Sequence, residues 1–300
     1  MIPRVYNSAR ARELNTARTH IRYTMNNVQD QGYYQINKSL YSRLCRFLIT
    51  GEDSMFEDVV GVILSGGEGR RLRPLTYYFQ KCMIPVGTKQ KPLLEYIVHH
   101  HRKHNIRKLK MLVGYKNEQI TNYFGDGNRF GVEMKYYVDD PKLKGSAGSL
   151  LNAHQKGAFE DVETILIYYG DILSTINLTE MLSQHQQNKP YATLAVTKGY
   201  KVPVGVAKVH DKVVIEWVEK PEIDILAGIG VLAIQPDSLD ILEEQFEKTS
   251  SLDIMGGFVP ELLRRKQVVM VYETNEFWYD VGSTEKYEKI DNGLIDKILN

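Results

Sequence analysis

From residue 58 onward, short apolar runs alternate with stretches whose apolar residues recur every three or four positions. The runs read as buried strands and the recurring stretches as helices. The spacing predicts a strand over 59–64, a helix over 93–104, a strand over 108–113, a helix over 116–124 and a strand over 132–138. It continues with a helix over 146–154, a strand over 164–169 closing on Gly170-Asp171, and a helix over 179–187. Four strand patterns then follow one another, at 193–197, 204–209, 213–218 and 229–234. Helices at 239–247 and 259–265 and short strands at 268–272 and 277–278 end the pattern. Early strand–helix alternation followed by successive strands predicts an α/β unit with a mixed sheet, parallel and doubly wound in its first half. Ligands of such sheets lie at the carboxyl ends of the strands.

The first 57 residues follow another pattern. Leu14, Ala17, Ile21, Met25 and Val28 trace one amphipathic helix, broken at Gly32, and Ile36, Leu40, Leu44, Phe47 and Leu48 trace a second. Over residues 1–51, eight basic residues stand against Glu13 and Asp30. Two short helices bury little alone, so a basic helical hairpin is expected to dock on the main unit or on another subunit. Contact with RNA or anionic lipid is the alternative for a basic helix.

Composition narrows the function classes. The chain has 300 residues and a formal charge of +1, which gives no overall bias toward nucleic acid or membranes. Two cysteines, Cys45 and Cys82, make no disulfide framework. No apolar stretch approaches the roughly 20 residues of a membrane span, and the N-terminus lacks an apolar signal core. A cytoplasmic protein is expected, in which the glycosylation triplets at Asn37 and Asn177 carry no meaning.

The densest chemistry lies just after the first strand, in Gly66-Gly67-Glu68-Gly69-Arg70-Arg71-Leu72-Arg73-Pro74-Leu75-Thr76. Three glycines let exposed amides approach an anion, and three arginines add donor forks suited to phosphate oxygens. A polyphosphate site is the direct reading. Gly67-x-Gly69 is not a dinucleotide fingerprint, because Leu72 replaces the third glycine and Pro74 cuts short the helix that would follow. Gly125-x-Gly127 follows a predicted helix and reads as a turn, and no Gly-x-x-x-x-Gly-Lys-Ser/Thr loop occurs.

Six motifs in order resemble the sugar-1-phosphate nucleotidyltransferases, also called nucleotide-sugar pyrophosphorylases. They are the glycine-rich loop after Leu64-Ser65, then Lys81-Cys82-Met83-Ile84-Pro85-Val86 with Lys91-Pro92, and Gly145-Ser146-Ala147-Gly148. Gly170-Asp171, Glu219-Lys220-Pro221 with Ala227-Gly228, and Trp278-Tyr279-Asp280-Val281-Gly282 complete the set. The resemblance covers roughly residues 58–290 and leaves out the N-terminal hairpin. It implies a Rossmann-like three-layer sandwich with a mixed, largely parallel sheet, divided as extension 1–57 and nucleotidyltransferase domain 58–300. Within this length there is no room for the left-handed β-helix that some members append.

The resemblance implies transfer of a nucleoside monophosphate from a nucleoside triphosphate to a sugar 1-phosphate, in line, with Mg²⁺ as cofactor. Catalytic roles fall on Arg71, Lys81, Asp171 and Asp280, with Asp171 and Asp280 also the metal ligands. Leu64, Ser65, Gly66, Gly67, Gly69, Arg70, Arg71, Asp140 and Gly145 would hold the nucleotide. Gly205, Glu219, Lys220, Ala227 and Gly228 would hold the sugar phosphate. A homo-oligomer is expected, with the N-terminal hairpin as its candidate contact.

Departures from the family pattern leave specificity open. Arg70 stands where a small hydroxyl residue is usual, Leu226 where asparagine is frequent, and Val204 where tyrosine is frequent. Relatives that use uracil or thymine often carry glutamine in the stretch that here reads Asp139-Asp140-Pro141. A carboxylate only accepts hydrogen bonds, which favours guanine with its adjacent N1–H and 2-amino donors. GTP with mannose 1-phosphate or a related hexose 1-phosphate is therefore preferred over dTTP or UTP with glucose 1-phosphate. A weak regulatory subunit and a metal-dependent glycosyltransferase stay open as other classes. His99, His100, His101 and His104 read as an ordinary polar helix end, with zinc spacing at His100 and His104 the alternative.

Overall fold

The computed structural model describes residues 56–202, 204–223 and 225–299. The hairpin expected over 1–57 thus lies outside the described residues but for its last two. Asp58–Asn300 forms one compact unit. It opens with β1 (Val59–Ser65), followed by three 3-10 turns at Arg70–Leu72, Leu75–Tyr77 and Lys81–Met83 and a short pair of strands, β2 (Pro85–Val86) and β3 (Lys91–Pro92). Then come α1 (Leu93–Lys103), β4 (Lys108–Val113), α2 (Asn117–Phe124), β5 (Glu133–Val138) and α3 (Ser146–Gln155). β6 (Thr164–Tyr169), β7 (Ile172–Ser174), α4 (Leu178–Asn188), β8 (Ala192–Thr197) and β9 (Tyr200–Lys201) follow. β10 (Val206–His210) and β11 (Val213–Val218) form a hairpin, and β12 (Glu222–Ile223) returns to pair with β9. β13 (Ala227–Ile234), α5 (Ser238–Phe246), a π-helical turn at Ile254–Phe258, α6 (Val259–Arg264) and β14 (Val269–Glu273) lead to β15 (Trp278–Asp280), α7 (Thr284–Glu288) and α8 (Asn292–Leu299).

The main sheet runs β14-β8-β13-β6-β1-β4-β5. β1 pairs in parallel with β4 and β6, β4 with β5, and β14 with β8. β13 runs antiparallel to both β6 and β8. This is the mixed, largely parallel sheet that the sequence predicts. A strand covered on both faces must be apolar throughout, and Val59, Val60, Val62 and Ile63 of β1 are all buried. Val60 and Val62 pack with Leu150 and Leu151 of α3, and the same cluster takes in Leu239, Leu242, Phe258 and Leu262. Each such side chain contributes about 1.5–3 kcal/mol on burial. On the other face α1 lies close to β1: a Cβ on Gly61 would stand 2.9 Å from the His101 ring.

The element bounds shift by two residues or fewer at most positions. The larger differences are additions. β7 is one of them, and it pairs antiparallel with β15, expected as a short strand over 277–278, in a small ribbon with Asp280 opposite Ile172. α8 has no counterpart among the expected elements. Its position follows from hydrogen bonds to the loop between β2 and β3. Gly87 N donates to Asn292 Oδ1 at 2.8 Å, Thr88 N to Asp296 at 2.8 Å, and Tyr96 OH to Asp296 at 2.9 Å. Among the described residues, no helix is long and apolar enough to cross a membrane.

Candidate active site

Parallel register brings four strand exits to one edge. Ser65 of β1 pairs with Val113 of β4, Leu64 with Tyr169 of β6, and Val113 with Val138 of β5. The residues that follow these exits are Gly66, Gly114, Asp139 and Gly170-Asp171. Gly66 and Gly114 stand back to back around the Asp139 carboxyl. A Cβ on Gly66 would collide with Asp139 Oδ2, and one on Gly114 would lie 2.6 Å from the same oxygen. A Cβ on Gly67 meets nothing, so its backbone faces open space.

A cavity of about 550 Å³ opens at this edge. Leu64, Ser65, Gly66 and Gly67 form one wall, Asp139, Asp140 and Gly145 another, and Lys81 and Asp171 close a third. All but Asp139, eight residues, are among those expected from the sequence. Gly145 carries φ +85°, a conformation that L side chains rarely adopt, and a Cβ there would strike the Leu252 carbonyl. The turn is thereby fixed, and α3 starts at the cavity wall. Gly66→Ala is expected to lower activity at least tenfold and to cost about 1–3 kcal/mol, the usual penalty of overpacking. Chemical denaturation and steady-state kinetics of one sample measure both; an unchanged midpoint would contradict this close approach.

Lys81 and Asp171 form an ion pair in which both side chains are largely buried. Gln80, fully buried, holds the turn that carries Lys81. Its Nε2 donates to Ser65 O at 2.6 Å, and its Oε1 accepts from Cys82 N at 2.6 Å. Burial, with Asp171 nearby, pushes the Cys82 thiol up to about 12, so it stays protonated. Asp280 lies across the β7–β15 ribbon from this pair, and Val281 N donates to Asp171 O at 2.9 Å. The two aspartates, 109 positions apart in sequence, therefore share one backbone ladder. Asp280 is paired in turn with Lys286, at 2.5 Å.

The arginines stand outside the cavity wall. Arg70 is held on Glu68, with Nε donating at 2.7 Å. Arg71 is exposed, forms no ion pair among the described residues, and has its carbonyl bonded by Thr284 Oγ1 at 3.2 Å. Gly69 lies at the loop's exit, where its carbonyl accepts from Thr76 Oγ1 at 3.0 Å. On the sugar side, Gly205 and Glu219 come together: a Cβ on Gly205 would stand 2.8 Å from Glu219 Oε2 and would collide with the Trp217 ring. Lys220 has φ +48° and acts electrostatically on Glu285 of α7. Ala227 and Gly228 begin β13, paired with Thr197 and Val196. The histidines at the end of α1 are packed rather than gathered: His101 Nδ1 donates to Ile97 O at 2.8 Å, and His104 Nδ1 meets Thr179 Oγ1 at 2.8 Å. Among the described residues no group of three or more His, Cys, Asp or Glu is arranged to hold a metal.

Three groups escaped the sequence reading of roles. Asp139 was noted only as part of a stretch; its Oδ1 is buried without a partner, and burial raises its carboxyl pKa against the pull of Ser149 and Lys156. Asp140, the residue favoured from sequence, already accepts from Lys142 N at 2.8 Å within its own turn. Gln80, just ahead of the Lys81 motif, and Lys286, beyond the last motif, gave no signal.

Asp171 and Asp280 supply only oxygen donors, Asp171 just before β7 on the cavity wall and Asp280 on its partner strand β15. That set suits a hard divalent cation, which keeps several waters and takes one or two carboxylates together with phosphates.

Several known proteins are similar to this chain. A uridylyltransferase named for UTP and glucose 1-phosphate, from Synechocystis sp., is 27% identical over 252 residues, covering 79% of this chain and 63% of the relative. The Haloferax volcanii nucleotidyltransferase Agl11 of low-salt glycan biosynthesis is 30% identical, covering 75% and 63%. A D-glycero-alpha-D-manno-heptose 1-phosphate guanylyltransferase from Aneurinibacillus thermoaerophilus is 29% identical, covering 78% and 97%. The chain thus spans somewhat less than two thirds of the first two relatives. A crystal structure from Bacillus anthracis assigned to a glucose-1-phosphate thymidylyltransferase shares the fold, with a TM-score of 0.63 at 22% identity over 81% of this chain and 96% of that one. The family model described as nucleotidyl transferase matches residues 60–297, and the chain belongs to that family, alongside the sugar-1-phosphate nucleotidyltransferases it resembles.

Proposed function

We propose that the chain joins a nucleoside triphosphate to a sugar 1-phosphate, giving a nucleotide sugar and pyrophosphate. The observation that carries this reading is the Lys81–Asp171 pair on the wall of a glycine-lined cavity, with Asp280 joined to Asp171 through the β7–β15 ladder. An oxygen of the sugar phosphate attacks the α-phosphorus, the bond to the bridging oxygen breaks, and pyrophosphate leaves. No protein nucleophile is needed, because the sugar phosphate is already ionised at neutral pH.

Two polyanions must be brought together, and the chain's part is to neutralise and align them. The amides of the Gly66–Gly67 loop meet the nucleotide. Lys81 offers a point charge to the α-phosphate, and Arg71, exposed and in no ion pair among the described residues, offers a planar fork to the leaving pyrophosphate. Glu219 accepts from sugar hydroxyls, while Lys220 faces the sugar phosphate, with Gly205, Ala227 and Gly228 leaving bare backbone around the ring. Asp171 and Asp280 would hold Mg²⁺, which when bound stabilises charge on the phosphate oxygens. A screen of pyrophosphate release across four nucleotides and several hexose 1-phosphates tests the reading. Release that needs no sugar phosphate, or none with any pair, counts against it.

Guanine is the base we infer. Asp139 lies on the cavity wall, its Oδ1 is buried with no hydrogen-bond partner among the described residues, and a carboxylate accepts where guanine offers two donors side by side. GTP with mannose 1-phosphate or a related hexose 1-phosphate is the preferred pair. Ionised Asp139 is the form that accepts both bonds, and its pKa is raised by burial. The ratio of kcat/KM for GTP over UTP should therefore fall on acidification, at a higher pH than an ordinary aspartate would require. A tenfold preference for a pyrimidine nucleotide at pH 7.5 would overturn the base assignment alone.

A further inference from the structure

Lys286 has no place in that scheme, yet its ammonium stands 2.5 Å from Asp280 Oδ2. We propose that Lys286 is a resident counter-cation of the carboxylate pair: it keeps the pair weak toward a bare divalent ion and releases it when the ion arrives with a polyphosphate. The inference rests on the reading of Asp171 and Asp280 as the metal-binding pair.

Charge balance carries the argument. Each aspartate has its own lysine, Lys81 on Asp171 and Lys286 on Asp280. Two carboxylates and two ammonium groups sum to zero, so a bare cation finds no net attraction and must displace a lysine first. The two lysines differ in how easily they leave. Lys81 is 15% exposed and its turn is clamped by Gln80. Lys286 is 48% exposed, and its ammonium ends a flexible stem.

The backbone of Lys286 is held independently of its side chain. Its N–H donates to Ser283 Oγ at 3.3 Å, and its carbonyl accepts from Tyr279 OH at 2.7 Å. The ammonium can therefore swing without unfolding α7. The same short helix is tied to the glycine-rich loop, because Thr284 Oγ1 donates to Arg71 O at 3.2 Å and Arg73 O at 3.3 Å. A polyphosphate drawn to Arg71 thus arrives beside Lys286. It gives the ammonium a new anionic partner and brings the cation with it. Lys286 would in this way couple metal entry to nucleotide entry.

Binding of Mn²⁺ followed by electron paramagnetic resonance tests this without turnover. Wild type, Lys286→Met, Lys286→Arg and Asp280→Asn are each titrated with Mn²⁺ alone, then with Mn²⁺ and the α,β-methylene analogue of GTP. Methionine keeps the apolar stem and removes the charge, and circular dichroism confirms each fold. Lys286→Met should bind bare Mn²⁺ about tenfold more tightly than wild type, Lys286→Arg should stay weak, and the gap should close with the analogue present. A merely structural lysine gives the opposite sign, since its loss loosens Asp280 and weakens Mn²⁺. Unchanged or weaker binding by Lys286→Met, with Asp280→Asn still losing the ion, overturns the role of the lysine alone. If Asp280→Asn binds Mn²⁺ and analogue as wild type does, the metal reading fails and this inference falls with it.

Discussion

Asp171→Asn is expected to lower kcat about a thousandfold while the melting temperature stays within a few degrees of wild type. The asparagine oxygen can still accept from Lys81, so that ammonium is not left buried without a partner, which is the costly outcome of breaking a buried pair. What disappears is the negative charge. Removing one preorganised electrostatic group from a reacting centre typically costs about 10²–10³ in rate. In the proposed scheme the loss is compounded, because Lys81 would face the phosphates without its fixed counter-charge and Asp280 would hold the cation alone. Asp171→Ala should be worse on both counts, since it strands Lys81 behind a turn that Gln80 holds rigid. Steady-state pyrophosphate release and a thermal melt on the same samples decide the matter. A correctly folded Asp171→Asn enzyme with more than a tenth of wild-type kcat would remove Asp171 from the chemistry.

Much of this arrangement was legible in the chain because its signals are local. Val59, Val60, Val62 and Ile63 announce a doubly covered strand, and the glycines after it announce a loop of close approach. Periodicity placed α1, α3 and α4 within about two residues, because each presents a continuous apolar face. β7, and its pairing with β15, were invisible for the opposite reason. Each strand has three residues, too few for a period, and the pairing joins positions more than 100 apart. The proximity of Asp171 and Asp280 was therefore taken from resemblance, and only the ladder shows how it arises. α8 is fixed by bonds from Gly87, Thr88 and Tyr96 to Asn292 and Asp296, side-chain partnerships that no hydropathy pattern encodes. Asp139 and Asp140 could not be told apart by composition. Which of them keeps an open acceptor depends on a turn bond from Lys142 and on the two glycines that flank Asp139. Val204 and Leu226, which depart from the family pattern, are both exposed, so the fold imposes no residue there.

The protein should lose stability steeply as pH falls from 6.5 toward 4, ahead of any carboxylate effect. Burial depresses His101 and His185 to about 4, and burial with neighbouring His101, His104 and Lys103 holds His100 well below its ordinary value. These rings stay neutral in the fold, whereas in the unfolded chain each takes up a proton near pH 6.5. The unfolded state then binds more protons, so stability rises with pH across this window and is lost on acidification. Each ring contributes about 1.4 kcal/mol per pH unit where the two states differ fully, or about 4 kcal/mol per unit for the three. The structure gives the reason for the depression. His100 and His101 are edge-on to the buried Tyr168 ring, and the Nε2 atoms of His100, His101 and His185 are buried without partners. Glu95 adds to the loss only at lower pH. Burial raises its pKa, but Tyr123, Lys91 and His99 more than offset this, so the net shift is downward and it resists protonation until below about 4.5. Urea denaturation at pH 7.5, 6.0 and 5.0 reads the slope directly. His101→Phe is the informative variant: phenylalanine fills the same space beside Gly61 and gives up only a bond to the Ile97 carbonyl of its own helix. It should match wild type at pH 7.5 and be the more stable of the two at pH 5.0, with about a third of the slope gone. A stability curve that is flat between pH 7.5 and 5.0, or a variant whose slope equals that of wild type, would show that these rings are hydrated and charge freely within the fold.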